Sequence, residues 1–332
     1  MKILILEYAT ALGLKDPSIY AEGTAMLNGL LDDLKDKNVD YLISDAYIEV
    51  GNNCNNPIGL TGDLMEWLDE NIPNYDSCFV IAPEEKFILY KITELIEKKG
   101  TEVAGSSSEA VMKCSNKYEM YESLKGKVPV IDTERVFFYD VDNYRDFNKA
   151  KVVKPADGVS CSGVTVVTNL NEFKEAVSNL QTELPYFLVQ DFIKGISVSV
   201  SLLGSGKEAI PLSLNSQNIE FSESGIDYKG GYVPLTHELE FEAKKVAKKA
   251  VESIKGLKGY VGVDMILGND VHLVEINSRI TTPYVALKEI LNLNLGEAIL
   301  DSVHGKLPSK MTLNGKISFC KDSSGLKIKK YE

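Results

Sequence analysis

Arginine is nearly absent from this chain: only Arg135, Arg145 and Arg279 stand among 36 basic residues. Those 36 face 48 acidic residues, a net charge of −12. Without a positive face there is no general surface for nucleic acid or anionic membrane. The acidic excess is concentrated early, since residues 1–100 hold 8 basic and 18 acidic side chains. The five cysteines are odd in number and include no Cys-x-x-Cys pair, which signals neither a disulfide framework nor a zinc site. The three histidines show no ligand spacing. No apolar run approaches the ~20 residues of a membrane helix, and the apolar start Met1–Leu6 meets Glu7 too soon for a signal peptide. A cytoplasmic chain is expected. No Gly-x-Gly-x-x-Gly follows the first apolar run and no Walker pattern occurs, which argues against the usual dinucleotide and P-loop folds.

What is present is ordinary globular composition, 44% hydrophobic and 25% charged over 332 residues, enough for two or three packed units. The first hundred residues alternate apolar runs (Lys2–Tyr8, Tyr41–Tyr47, Ser77–Ala82, Glu102–Gly105) with amphipathic stretches near 19–37, 61–71 and 85–99. That alternation predicts parallel strands in an open α/β sheet, with ligands at the carboxyl ends of the strands. Glu7 ends the first strand there, and Glu22-Gly23 lies near the start of the first helix. A helix over about 107–124 follows. From Val128 the chain becomes strand-rich, with helices near 171–180, 238–254, 283–291 and 295–305. The fold class is therefore α/β followed by α+β. The expected division is an N-terminal α/β domain over 1–105 and a second domain over 106–332, itself split near 128–193 and 194–332.

The most informative stretch is Val261–Asn277, with a turn signal at Gly268-Asn269-Asp270. A two-residue turn at Asn269-Asp270 sets Gly268 against Val271 and, counting outward, Asp264 against Glu275. Period-two alternation brings Asn277 to the same face, opposite Gly262, where the missing side chain leaves open space, and turns His272 away. Two opposed carboxylates repel one another, and a divalent cation reverses that sign. Magnesium favours a few carboxylates completed by phosphate oxygens and water. A solvated hairpin face is the plainer alternative, but the apolar neighbours of Glu275 argue against it.

Other stretches each admit two readings. Lys154 ends an apolar strand before Gly158, Ser160, Ser162 and Gly163, small residues that let backbone amides approach phosphate, or that simply form a turn. Lys117 is a solvated lysine or an anion contact. Gln190-Asp191-Phe192-Ile193 is an ordinary strand end or one wall of an adenine slot. Arg279, two residues past Asn277, is a surface ion pair or, in a chain so poor in arginine, a planar contact for phosphate or carboxylate.

The order of these motifs resembles the ATP-grasp family over about residues 106–305, with a matching preceding domain. The resemblance implies a pre-ATP-grasp domain followed by an ATP-grasp fold. It makes Lys117 and Lys154 contacts of ATP phosphates and Gly158–Gly163 a lid loop. Gln190–Ile193 become the adenine hinge, and Asp264, Glu275 and Asn277 the ligands of one or two magnesium or manganese ions. Ser197 stands where the family commonly has a ribose-binding glutamate, and Gly262 where some members carry an arginine. Arg279 takes up that role, with Lys229 adding charge at the γ-phosphate. The activity implied is ATP-dependent joining of a carboxylate to an amine. Within the family, Leu6–Ala11, Tyr20–Thr24 and the overall length are similar to archaeal ligases that join the γ-carboxyl of L-glutamate to tyramine in methanofuran biosynthesis. Glu7, Glu22 and Gly23 are then substrate residues, and the acidic N-terminal domain a wall suited to a protonated amine. A ligase joining two amino acids, as in the pyrrolysine pathway, and a non-catalytic ATP-binding module are the alternatives.

Overall fold

A computed structural model describes residues 1–45, 56–158, 163–222, 225–322 and 325–331. Strand β1 (Lys2–Glu7) is buried on both faces, with Ile3 to Leu6 excluded from solvent. It sits at the centre of a parallel sheet with β2 (Asn38–Ser44), β3 (Asn56–Leu60), β4 (Ser77–Ile81) and β5 (Glu102–Val103), in the order β3-β2-β1-β4-β5. The helices are α1 (Tyr8–Leu12), α2 (Pro17–Asp33), α3 (Leu64–Asn71) and α4 (Ile88–Lys98). Ile3 and Ile5 pack with Leu27, Leu30 and Leu31 of α2, while Leu4 and Leu6 pack with Leu68, Leu89 and Ile92 of α3 and α4. Strand β3 has the sequence NPIGL, too short of apolar residues to signal itself, and pairs as an edge. The far end of the expected 41–47 strand lies outside the described residues.

The single helix expected over 107–124 is two: α5 (Ser108–Ser115) and α6 (Lys117–Leu124). Asn116 is extended, with φ −98° and ψ 102°, and its side chain accepts from the backbone amides of Tyr118 and Glu119. An asparagine that can cap the second helix competes with continuing the first. This break makes Lys117 the first residue of α6, with its amide donating to the Ala156 carbonyl at 2.8 Å.

Two antiparallel four-stranded sheets come next. The first is β6 (Thr133–Phe137), β7 (Lys151–Pro155), β8 (Thr165–Val167) and β9 (Tyr186–Asp191) in the order β6-β9-β7-β8, backed by α7 (Leu170–Ser178). The second contains β10 (Ile196–Ser205), β11 (Ala209–Ser216) and, after a small hairpin of β12 (Ile219–Ser222) and β13 (Gly225–Tyr228), strands further along. Those are β15 (Lys258–Leu267) and β16 (Val271–Asn277), giving the order β11-β10-β15-β16 with α8 (Glu240–Ser253) on its back, while β14 (Gly230–Val233) lies outside this sheet. Residues 128–131, at the head of the strand-rich part, add only an isolated bridge to this sheet, between Val130 and Leu273. The chain closes with α9 (Tyr284–Ile290), α10 (Leu295–Val303), β17 (Lys316–Asp322) and β18 (Gly325–Tyr331), the last two joining β14 in a third sheet. Helices α9 and α10 pack into the same core as α2 and β1, so the first hundred residues share apolar packing with the last fifty. No helix among the described residues is long and apolar enough to cross a membrane.

Candidate active site

The hairpin β15–β16 pairs Asp264 directly with Glu275 and Gly262 with Asn277. The expected register is correct, but by a different route. The connection is a three-residue loop, with Leu267 opposite Val271 and the Gly268 amide donating to the Asp270 carbonyl at 3.1 Å. The shift this introduces is cancelled by a bulge at Val274, where β16 carries one extra residue. The bulge also corrects the phase of His272. It pairs with Ile266, two residues from Asp264 on the unbulged strand, and so lies on the carboxylate face and not away from it. Nor does Gly262 leave open space, because a Cβ there would come within 2.9 Å of the Thr281 methyl.

The Asp264 carboxylate accepts from Gln217 Nε2 at 3.0 Å and from Asn277 Nδ2 at 3.0 Å. Burial and the facing Glu275 together push its pKa up to about 7. Glu275 moves the other way. Burial opposes its charge, but Lys117, Lys154 and Arg279 hold its carboxyl below the ordinary glutamate range. Lys117 Nζ lies 2.9 Å from Glu275 Oε2 and donates to the Gly158 carbonyl at 2.5 Å. It is thus a partly buried anion partner rather than a solvated lysine, its charge held on by Glu275 despite desolvation. Lys154 is buried at the end of β7 on the same cleft.

This cleft of about 620 Å³ lies between the two four-stranded sheets. Val152, Val164 and Val166 line it from one side, and Met265, Ile266 and Val274 from the other. Gly158, Gln190, Asp191, Phe192, Ile193, Ser197 and Lys229 all reach it. The Gln190 amide is already committed to Thr133 Oγ1 at 2.7 Å, and Asp191 to Lys151 at 2.8 Å, so these two side chains brace the strand end. Gly163 holds a left-handed φ of 71°, and a Cβ there would meet Pro155 at 3.3 Å. Ser160 and Ser162 lie outside the described residues.

Arg279 also faces the cleft, and its guanidinium is fixed from behind. Glu84, at the end of the parallel sheet, accepts from Arg279 Nε at 3.0 Å and lies 2.9 Å from a second guanidinium nitrogen. Sequence reading missed Glu84, because nothing local marks a partner 195 residues away. It missed Gln217, Tyr228, Thr282 and Lys321 as well, all of which line the cleft. Only Gln217 had a signal, a polar run of Asn215 to Asn218 after apolar strand residues.

Glu22 lines the cleft beside Thr282 and Lys321. Glu7 and Gly23 do not. The Glu7 carboxylate caps α1, accepting from Ala9 at 3.2 Å and Thr10 at 2.7 Å, and burial raises its pKa. Gly23 is what makes room for it, since a Cβ at that position would fall 2.4 Å from Glu7 Oε2.

Two facing sheets thus enclose one cleft with apolar walls, two lysines and a carboxylate pair at one end. The ATP-grasp domain family matches residues 114–283, and the chain belongs to that family. It is 37% identical to the tyramine–L-glutamate ligase of Methanocaldococcus fervens, over 86% of this chain and 89% of that one. To the tyramine–L-glutamate ligase of Methanocaldococcus jannaschii it is 36% identical, over 92% and 90%. Among solved structures it is similar along the full length of both chains to an ATP-grasp superfamily protein from Archaeoglobus fulgidus, with a TM-score of 0.75 and 25% identity. The protein is an ATP-dependent ligase that forms an amide.

Proposed function

We infer that the reaction joins the γ-carboxyl of L-glutamate to the amine of tyramine, giving γ-glutamyltyramine, ADP and phosphate, as a step toward methanofuran. The relatives named above carry the choice of substrates. The observation that carries the chemistry is the directly opposed, half-buried pair Asp264 and Glu275, whose mutual repulsion Lys117, Lys154 and Arg279 offset mainly at Glu275, leaving the Asp264 pKa raised.

The residues fit a divalent ion. Among the described residues no cluster of three His, Cys, Asp or Glu forms a full cage. Two carboxylates and the Asn277 amide oxygen leave the remaining positions to phosphate oxygens and water, which suits magnesium or manganese. Asp264, Glu275 and Asn277 would hold it, and it would supply charge neutralisation at the phosphates. Lys117 and Lys154 bind phosphate oxygens of ATP. The apolar walls and the Gln190–Ile193 strand end take the adenine, and Ser197 lies where the ribose falls. Gly158, on the cleft, helps to keep water from the phosphates. Residues 1–105 act as the domain enclosing the acceptor, and 106–332 as the ATP-grasp domain.

A carboxylate oxygen attacks the γ-phosphorus of ATP, ADP leaves, and an acyl phosphate forms. The neutral amine then attacks the acyl carbon, and phosphate departs with one former carboxylate oxygen as the amine loses a proton. Arg279, held by Glu84, stabilises the charge on the transferring group, with Lys229 adding to it.

The test is turnover with ATP, magnesium, tyramine and glutamate labelled with oxygen-18 in its γ-carboxyl. Amine-dependent ADP release with one labelled oxygen in the phosphate is expected. ADP release indifferent to tyramine, or unlabelled phosphate, would contradict the assignment.

A further inference from the structure

We propose that Glu22 and Lys321, with Thr282 beside them, form a clamp for the ammonium and carboxylate of an amino-acid backbone whose distal carboxylate is activated at the Asp264–Glu275–Arg279 end. The inference deepens the reading above and rests on its amino-acid substrate.

Both groups project into the cleft, and their side chains are 18% and 17% exposed. They come from opposite ends of the chain, Glu22 from α2 and Lys321 from β17. One Glu22 oxygen ion-pairs with Lys321, and the other accepts from Thr282 Oγ1 at 2.6 Å. Strand pairing with β18, and a bond from the Lys321 amide to the Lys229 carbonyl at 3.1 Å, set the lysine in place. Thr282 stands three residues beyond Arg279, a chain length of at most about 11 Å. Tyr228 lines the same cleft as Glu22 and Asp264.

The pairing changes what the acidic wall can recognise. A simple cation such as a protonated amine must displace Lys321 and leave it uncompensated in a half-closed cleft. A simple dicarboxylate leaves Glu22 in the same position. A zwitterion alone exchanges one ion pair for two, with its ammonium on Glu22 and Thr282 and its carboxylate on Lys321. Nor is the pair needed to dock α2. Lys288 already bridges Asp32 at 2.8 Å and Asp33 at 3.3 Å, and the Gly296 amide donates to Asp33 at 3.0 Å.

The experiment compares L-glutamate with glutarate, which lacks the α-amino group, and 4-aminobutyrate, which lacks the α-carboxylate. The proteins are the unaltered chain, Glu22→Gln, Lys321→Met, and the exchange Glu22→Lys with Lys321→Glu. Steady-state kinetics, calorimetric binding and thermal unfolding are read for each. Glu22→Gln should raise the KM for glutamate on the order of 10- to 100-fold and should not raise that for glutarate, which no longer strands a carboxylate at residue 22. Lys321→Met should do the same for glutamate while sparing 4-aminobutyrate. The KM for ATP should hold in both. The exchange should recover thermal stability but not glutamate affinity, because a reversed zwitterion misplaces its distal carboxylate. Equal losses on glutamate and glutarate, or recovery of glutamate affinity by the exchange, would reduce the pair to a structural latch and overturn the clamp. If another amino acid is used in place of glutamate, the substrate reading fails, and the same comparison with that acid's deaminated and decarboxylated analogues decides the clamp. If nothing turns over, calorimetry decides it: preference of the unaltered chain for glutamate over glutarate, lost in Glu22→Gln, supports the clamp, and no preference overturns it.

Discussion

The two ends of the cleft handle charge in opposite ways. At one end Asp264 and Glu275 face each other as like charges, relieved chiefly on the Glu275 side by Lys117, with Lys154 and Arg279 adding to it. At the other, Glu22 and Lys321 neutralise one another. The first end is short of positive charge until something cationic arrives, whereas the second is balanced and must be opened by its ligand. A site of the first kind gains affinity from repulsion it relieves. One of the second kind gains specificity, because only a ligand carrying both charges can open it without loss.

The largest effect expected on this contrast is at Glu275. Glu275→Gln removes the repulsion but also a metal and Lys117 partner, and should lower turnover at least ~10³-fold with the fold intact. Turnover within a few-fold of normal, measured by ADP release, would remove Glu275 from the phosphate end. A smaller effect is expected one layer behind. Glu84→Gln keeps the shape but loses the charge that holds Arg279, and should reduce kcat about 10- to 100-fold while the KM for ATP stays put. A matching rise in the KM for ATP, with kcat unchanged, would make Arg279 a ground-state contact instead.

The like-charge end was largely legible in the sequence, and the balanced end was not. Asp264, Glu275 and Asn277 sit within fourteen residues, where one hairpin fixes their relation. Even there the register emerged because a longer loop and the Val274 bulge cancel, which alternation alone cannot foresee. Lys117 was visible as a candidate, but its burial depends on the α5–α6 break at Asn116, a contest between capping and continuation. The parallel sheet was readable from runs buried on both faces, apart from β3, whose pairing is tertiary. Glu22–Lys321 and Glu84–Arg279 join residues 299 and 195 positions apart, and no local pattern encodes such meetings. Glu7 and Gly23 show the converse, a pair that looked like substrate residues and is a helix cap with the space it requires.

The central claim, that the Asp264–Glu275 end awaits a cation, is most directly tested by thermal unfolding with and without magnesium, in the presence of a non-hydrolysable ATP analogue, at pH 6 and pH 8. In the metal-free protein the Asp264 pKa is raised to about 7. Its contribution to stability is therefore complete below the ordinary aspartate range and is lost as the pH rises through 7. At pH 6 a metal must displace that proton, and at pH 8 it need not. The account predicts a magnesium-dependent rise in Tm that is larger at pH 8 than at pH 6 and absent in Glu275→Gln. A rise equal at both pH values, or one that persists in Glu275→Gln, would contradict it.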